Sequence, residues 1–113
     1  LQEIVHDSGL LTPAVIERSN RNRQRPGLIK PILAVKGNLP LWESGFATRI
    51  GEITHPTLVL WGEEDRVFPL AVGEGLHQTI KGSRFIRIPK AGHIPQWERP
   101  DLVNQELITF IRP

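Results

Sequence analysis

The chain has 113 residues, 39% of them hydrophobic and 23% charged, with a formal net charge of +2. Ordinary, unrepetitive apolar content excludes a disordered tail, a collagen-like repeat and a coiled coil, and the absence of cysteine excludes disulfides, thiolate zinc sites and a cysteine nucleophile. No apolar run approaches the ~18 residues needed to span a bilayer, and so mild a charge lacks the dense basic stripe of a nucleic-acid binder.

The sequence contains no methionine and begins at Leu1, which gives the expectation of a processed chain or a piece of a longer one. Residues 1–52 mix helix signals with breakers and hold no strand-like run. Thr12-Pro13 is a helix start, a hydroxyl able to cap free amides followed by proline at the first helical position. Ala14, Val15 and Ile16 form a small apolar patch before the polar run 18–25, and Pro26-Gly27 stops the helix. Residues 28–36 read as a second short helix beginning near Pro31. Gly37 and Pro40 then break the chain, and residues 41–50 read as a third helix. None has enough apolar face to bury itself, so this part reads as a lid lying on something else.

Residues 53–113 are better patterned. Pro56 introduces Thr57-Leu58-Val59-Leu60-Trp61, the pattern of a strand buried on both faces, ended by Gly62. Residues 70–80 place Val72, Leu76 and Ile80 on one helical stripe, and Gly82 suits a left-handed helix terminator. Residues 83–88 form the next strand, where Arg84 and Arg87 among apolar neighbours suit a sheet edge. Pro100-Asp101 opens a last helix with a stripe of Val103, Leu107, Phe110 and Ile111, Asp101 complementing the helix dipole. Strand, helix, strand, helix with short links implies a parallel pair joined by a crossover. Two parallel strands do not make a stable sheet, so the remaining strands are expected from elsewhere in a larger α/β protein.

Ligands of open parallel sheets bind beyond the carboxyl ends of the strands. Two loops leave such ends here, 62–69 and 89–95. Neighbouring strands lie ~4.8 Å apart, so a carboxylate of the first loop and an imidazole of the second can meet. The carboxylate would fix the ring's tautomer and stabilise its cation, leaving the other ring nitrogen to take a proton from a nucleophile or water. Histidine suits the task because it titrates near neutral pH.

The run Pro56-Thr57-Leu58-Val59-Leu60-Trp61-Gly62-Glu63-Glu64-Asp65-Arg66-Val67-Phe68-Pro69 resembles the acid-bearing strand and loop of the α/β-hydrolase fold. Gly92-His93, followed by Glu98 and Pro100, resembles that fold's histidine loop and the start of its last helix. The order of acid then histidine, about 28 positions apart, fits the expected Ser…Asp…His succession. The resemblance is specific over residues 50–113, and over 1–49 it extends only to the general character of a helical cap. It implies an α/β C-terminal fragment of such a hydrolase: a cap and linker over residues 1–52, and the last two strands and helices over 53–113. Gln96-Trp97-Glu98 after the histidine is similar to carbon–carbon bond hydrolases that cleave ring-fission products, with esterases, dehalogenases and epoxide hydrolases closely related.

On this resemblance Asp65 is the acid and His93 the base. As a plain turn residue, Asp65 would instead cap the backbone of its own loop. Glu63 and Glu64 are read as solvated, because longer side chains locate a histidine less firmly. No Gly-x-Ser-x-Gly elbow is present, and none of Ser8, Ser19, Ser44 or Ser83 lies at a strand-to-helix turn. The nucleophile is therefore expected earlier in a longer parent, and this chain alone is expected to be inactive. Val67, Phe68, Ile94 and Trp97 flank the two loops and would make the pocket apolar, favouring a small substrate with an alkyl or aryl body.

His55 precedes its strand at the edge away from the crevice. His77, one position off its stripe, is read as facing solvent, and His6 beside Asp7 as a helix-end feature. No metal is expected from the histidine spacing, and no cofactor. The run Arg18, Arg21, Arg23, Arg25 is read as a solvated helix face, for no aromatic platform accompanies it. The expected partners are a small-molecule substrate and the N-terminal part of the hydrolase core, with neither nucleic acid nor membrane, in the cytoplasm. Two rivals stand beside a serine hydrolase. In one an aspartate nucleophile makes the parent a dehalogenase or epoxide hydrolase. In the other the chain is a non-catalytic module that pairs its open sheet edge with a partner.

Overall fold

A computed structural model describes residues 1–112. The first half consists of helical elements joined by turns, with no strand among the described residues. A 3-10 turn, Ser8–Leu10, is capped by Asp7, whose Oδ1 accepts from the Gly9 amide at 2.8 Å. Helix α1, Pro13–Arg23, starts as its sequence implies: Thr12 Oγ1 accepts from the Val15 amide at 3.4 Å and Pro13 occupies the first turn. Arg18, Arg21, Arg23 and Arg25 are exposed, and Arg21 lies 4.0 Å from Glu17 one turn earlier.

Helix α2, Ile29–Gly37, is followed by a helical turn α3, Leu39–Leu41, which runs on through a π-helical turn, Trp42–Phe46, into a 3-10 stretch, Ala47–Glu52. Pro40 thus sits inside a turn instead of breaking the chain, since an early helical position needs no amide donor. The single regular helix expected over 41–50 is replaced by two irregular kinds. Thr48 Oγ1 donates to the carbonyls of Ser44 and Gly45 at 3.4 and 3.0 Å, and such back-bonding competes with the regular helical ladder. Ile29, Ile32, Leu33 and Val35 remain exposed.

The second half holds strand β1, Leu58–Gly62, helix α4, Leu70–Thr79, strand β2, Arg84–Ile88, a short helix α5, Pro95–Glu98, and helix α6, Pro100–Ile111. The strands pair in parallel, from Leu58 opposite Arg84 to Gly62 opposite Ile88. Ile88, 1% exposed, packs with Ala91 and Val103, and Leu60, Ile86 and Leu102 close around them. Burying a side chain of that size is worth roughly 1.5–3 kcal/mol. Helix α4 ends at Thr79 with Ile80 extended, and Gly82, expected as its left-handed terminator, instead takes φ +76° in the turn that follows, where the Ser83 amide donates to the Ile80 carbonyl at 3.1 Å.

Four expectations need correction. Leu58, Val59, Leu60 and Trp61 are half-buried rather than covered on both faces, because among the described residues β2 alone pairs with β1. Arg84 and Arg87 do more than mark an edge: they reach Glu106 on α6 at 2.8 Å and Glu74 on α4 at 2.6 Å, tying β2 to both helices. His77 does not face solvent. Its ring stacks on Phe85 with centroids 5.6 Å apart, and Nδ1 lies 2.8 Å from Oγ of buried Ser83. The stripe of α4 holds at Leu76, half-buried, and Ile80, buried, but not at Val72, which is exposed: Gly73 is buried in its stead, so close to the Trp61 indole that a methyl group there would overlap it.

Candidate functional site

The parallel register ends both strands at one level and releases the loops 63–69 and 89–94 side by side. Backbone hydrogen bonds then join them. The Glu63 amide donates to the Ile88 carbonyl at 3.1 Å, and the Glu64 amide to the Ala91 carbonyl at 3.0 Å. Glu64 Oε2 accepts in return from the Ala91 amide at 3.0 Å. Glu64 is accordingly half-buried and structural, not solvated as its loop position implies. Lys90 takes φ 57°, a left-handed conformation costly for a residue with a side chain, and turns the chain back toward β1. The approach is so close that only glycine fits at position 62. A methyl group there would overlap the carbonyl oxygens of Ala91 and Gly92.

This framework brings Asp65 and His93 together, with Nδ1 of the ring 3.0 Å from Oδ2 of the carboxylate. An ionised carboxylate only accepts, so Nδ1 carries the proton and the neutral ring presents Nε2 as an acceptor. The other oxygen, Oδ1, accepts from the amides of Val67 and Phe68 at 2.8 and 2.9 Å. Asp65 is thus both the turn-capping residue and the histidine's partner, one oxygen for each. Burial alone would push its carboxyl up. The hydrogen bond from His93 and those from the Phe68 and Val67 amides outweigh burial, and they hold the group below the usual carboxylate range. The two side chains are unequally covered, Asp65 4% exposed and His93 34%, which leaves the ring open to a reacting group.

A pocket of about 180 Å³ beside the pair is lined by Leu60, Trp61, Gly62, Pro95 and Gln96 together with Asp65 and His93. Of the four residues expected to flank the site, Phe68 meets the His93 ring at a tilted 5.4 Å between centroids. Val67 and Trp97 are exposed, Ile94 is half-buried, and none of the four lines this pocket. Trp61 donates from Nε1 to the Phe68 carbonyl at 3.1 Å, so Phe68 is held at both its amide and its carbonyl.

The N-terminal segment joins the site as well, which no pattern in the sequence announces. Val5 is buried, 3% exposed, and the Ile4 carbonyl accepts from the His93 amide at 2.7 Å. Glu98, at the end of α5, accepts on Oε1 from the Gly92 amide at 2.7 Å and on Oε2 from the His6 amide at 2.6 Å. Only its place in the histidine motif hinted at a duty. No serine hydroxyl hydrogen-bonds His93 among the described residues: Ser44 donates to the Leu41 carbonyl, and Ser83 engages His77. Among the same residues no group of three or more His, Cys, Asp or Glu could hold a metal ion, and no helix is long and apolar enough to cross a membrane.

Comparison with known proteins agrees with this fold. The family profile of the alpha/beta hydrolase fold matches residues 6–100. The chain is 33% identical over 112 residues to the 2-hydroxy-6-oxononadienedioate/2-hydroxy-6-oxononatrienedioate hydrolase of Comamonas testosteroni, covering 98% of this chain and 39% of that protein. A solved variant of the meta-cleavage product hydrolase CumD superposes on 96% of this chain and 42% of its own, with TM-score 0.82 and 21% identity, a likeness of fold. A thermophilic esterase from Thermogutta terrifontis is 39% identical over 55% of this chain and 23% of its own, with TM-score 0.53. The chain spans about two-fifths of the length of the curated relatives it matches.

Proposed function

The chain belongs to the α/β hydrolase family, and from that premise we propose that it supplies the acid and the general base of a hydrolase whose nucleophile is a serine outside these 113 residues. The observation that carries this reading is the 3.0 Å contact between His93 Nδ1 and Asp65 Oδ2, set at the carboxyl ends of two adjacent parallel strands. Nε2 of His93 accepts the serine proton as the oxygen attacks the substrate carbonyl. Asp65, held ionised, stabilises the imidazolium that results. The ring returns its proton to the leaving group, an alkoxide or, in carbon–carbon cleavage, a carbanion. Water then attacks the acyl-enzyme with the same ring as base, releasing the acid and restoring the serine.

The substrate is a small, largely apolar ester, or a carbon–carbon bonded ketone of the ring-fission type. Both chemistries are represented in the names of the relatives, and the side chains of Leu60, Trp61 and Pro95 beside the pair supply an apolar wall.

The test uses the full-length protein that carries this chain. Aryl esters and 6-substituted 2-hydroxy-6-oxohexa-2,4-dienoates are assayed with the wild type and with His93→Ala. Turnover should fall about 10⁴-fold or more, with the melting temperature nearly unchanged, because the ring is partly open to solvent. A fluorophosphonate that labels a serine in a strand–turn–helix elbow supports the serine route. Absence of label together with turnover of an alkyl halide or epoxide replaces it with an aspartate nucleophile. Undiminished activity of His93→Ala refutes the assignment.

A further inference from the structure

We propose that Glu98 is a positioning residue for His93: it latches residues 6–7 onto the histidine loop and so couples the seat of the helical region to the place of the base. This rests on the reading of His93 as that base. Three consecutive amides of the loop are captured by three separate parts of the chain. Ala91 donates to Glu64 Oε2 at 3.0 Å, Gly92 to Glu98 Oε1 at 2.7 Å, and His93 to the Ile4 carbonyl at 2.7 Å. Glu98 differs from the other two in holding both sides of a joint. Its second oxygen accepts from the amides of His6 at 2.6 Å and Asp7 at 3.3 Å, positions far distant along the sequence.

None of its three donors belongs to α5 or α6, so the carboxylate is no helix-end cap. From Asp7 the path to α1 is short and braced. Asp7 caps the 3-10 turn, the amides of Leu10 and Leu11 close it onto the carbonyls of Asp7 and Ser8, and Thr12 caps α1 at once. There is no slack either where the latch meets the loop. A methyl group on Gly92 would lie 2.7 Å from the Ile4 carbonyl oxygen and 3.0 Å from the His6 nitrogen. A shift of α1 is therefore transmitted through residues 4–7 to the amides of Gly92 and His93, and among the described residues Glu98 is the only side chain bonded to both segments.

The experiment compares Glu98→Ala, Glu98→Gln and His93→Ala in the full-length protein, with kcat and KM on an aryl ester and amide hydrogen exchange over residues 4–7 and 91–93. Glu98→Ala should lower kcat by roughly 10–100-fold, as expected for a catalytic group displaced by about an ångström, with KM within about twofold. Exchange should quicken in those two segments and not in α4 or α6. Glu98→Gln keeps one carbonyl acceptor and should recover part of kcat. If His93→Ala abolishes turnover while Glu98→Ala leaves kcat and local exchange as in the wild type, the latch is refuted and the function stands. Faster exchange throughout the chain, with Glu98→Gln no better than Glu98→Ala, also refutes it. Turnover surviving in His93→Ala overturns both readings. Should Glu98→Ala fail to fold, Glu98→Gln with unchanged kcat and exchange is sufficient to overturn the latch.

Discussion

Replacing Gly62 with alanine should separate Asp65 from His93 without touching either. The new methyl would overlap the carbonyl oxygens of Ala91 and Gly92 and lie 2.9 Å from the Ala91 carbonyl carbon, where ordinary contact begins at 3.4 Å. The neighbours are backbone atoms of the histidine loop, so no side chain can swing aside. The loop must retreat by at least about 0.5 Å, which strains the paired bonds between Glu64 and Ala91, both 3.0 Å. Overpacking of this kind costs ~1–3 kcal/mol, and two weakened hydrogen bonds add about 1 kcal/mol each, giving roughly 3–5 kcal/mol in all. If the pair acts as proposed, displacement toward an ångström there should lower kcat by up to ~10²-fold. Urea unfolding of the full-length variant measures the first effect and ester hydrolysis the second. An imidazole N–H resonance lost from the spectrum would report the broken contact directly. Unfolding within about 0.5 kcal/mol of wild type, with undiminished turnover, would refute the claim that the fit of β1 against the histidine loop sets this distance.

Acid should weaken the fold through Asp65. Its folded pKa lies below the ordinary 3.8, so the unfolded chain binds more protons in that range. The contribution is complete above the ordinary value and is lost as pH falls through the lower folded one. The stability difference between wild type and Asp65→Asn, from guanidinium unfolding across about pH 7 to 2, should therefore narrow only at the acid end, and a constant difference contradicts this. Lys90→Gly should stabilise by about 1 kcal/mol, because glycine adopts φ 57° without the cost a side chain incurs. A lower melting temperature would show that the Lys90 side chain contributes more than its backbone strain removes.

Elements whose cause is local were legible in the sequence. Thr12-Pro13 starts α1 and an apolar run after Pro56 makes β1, each through chemistry within a few residues of itself. Asp65 and His93 could also be paired, because parallel strands bring their carboxyl ends level whatever lies between. What escaped was non-local or made to backbone. Glu64 and Glu98 spend their carboxylates on main-chain amides, which carry no sequence signature. Val5 is buried by a loop nearly the whole chain away. The start of the α4 stripe, at Val72, was misjudged because the closest contact there is a glycine, Gly73 against Trp61, and a hydrophobic stripe cannot register a residue without a side chain. His77 was placed wrongly for the same reason.

The manner in which Asp65 is anchored has a consequence for how such a site can diversify. Its Oδ1 is gripped by the amides of residues 67 and 68 and by nothing those residues carry as side chains. Every amino acid except proline offers the same donor. Substitutions at these two positions can therefore change the exposed side chains beside the pair while the Asp65 carboxylate stays in register with its histidine. The four-residue stretch 65–68 is thus written in two separate alphabets, one of peptide groups that hold the carboxylate and one of side chains that leave this hold untouched.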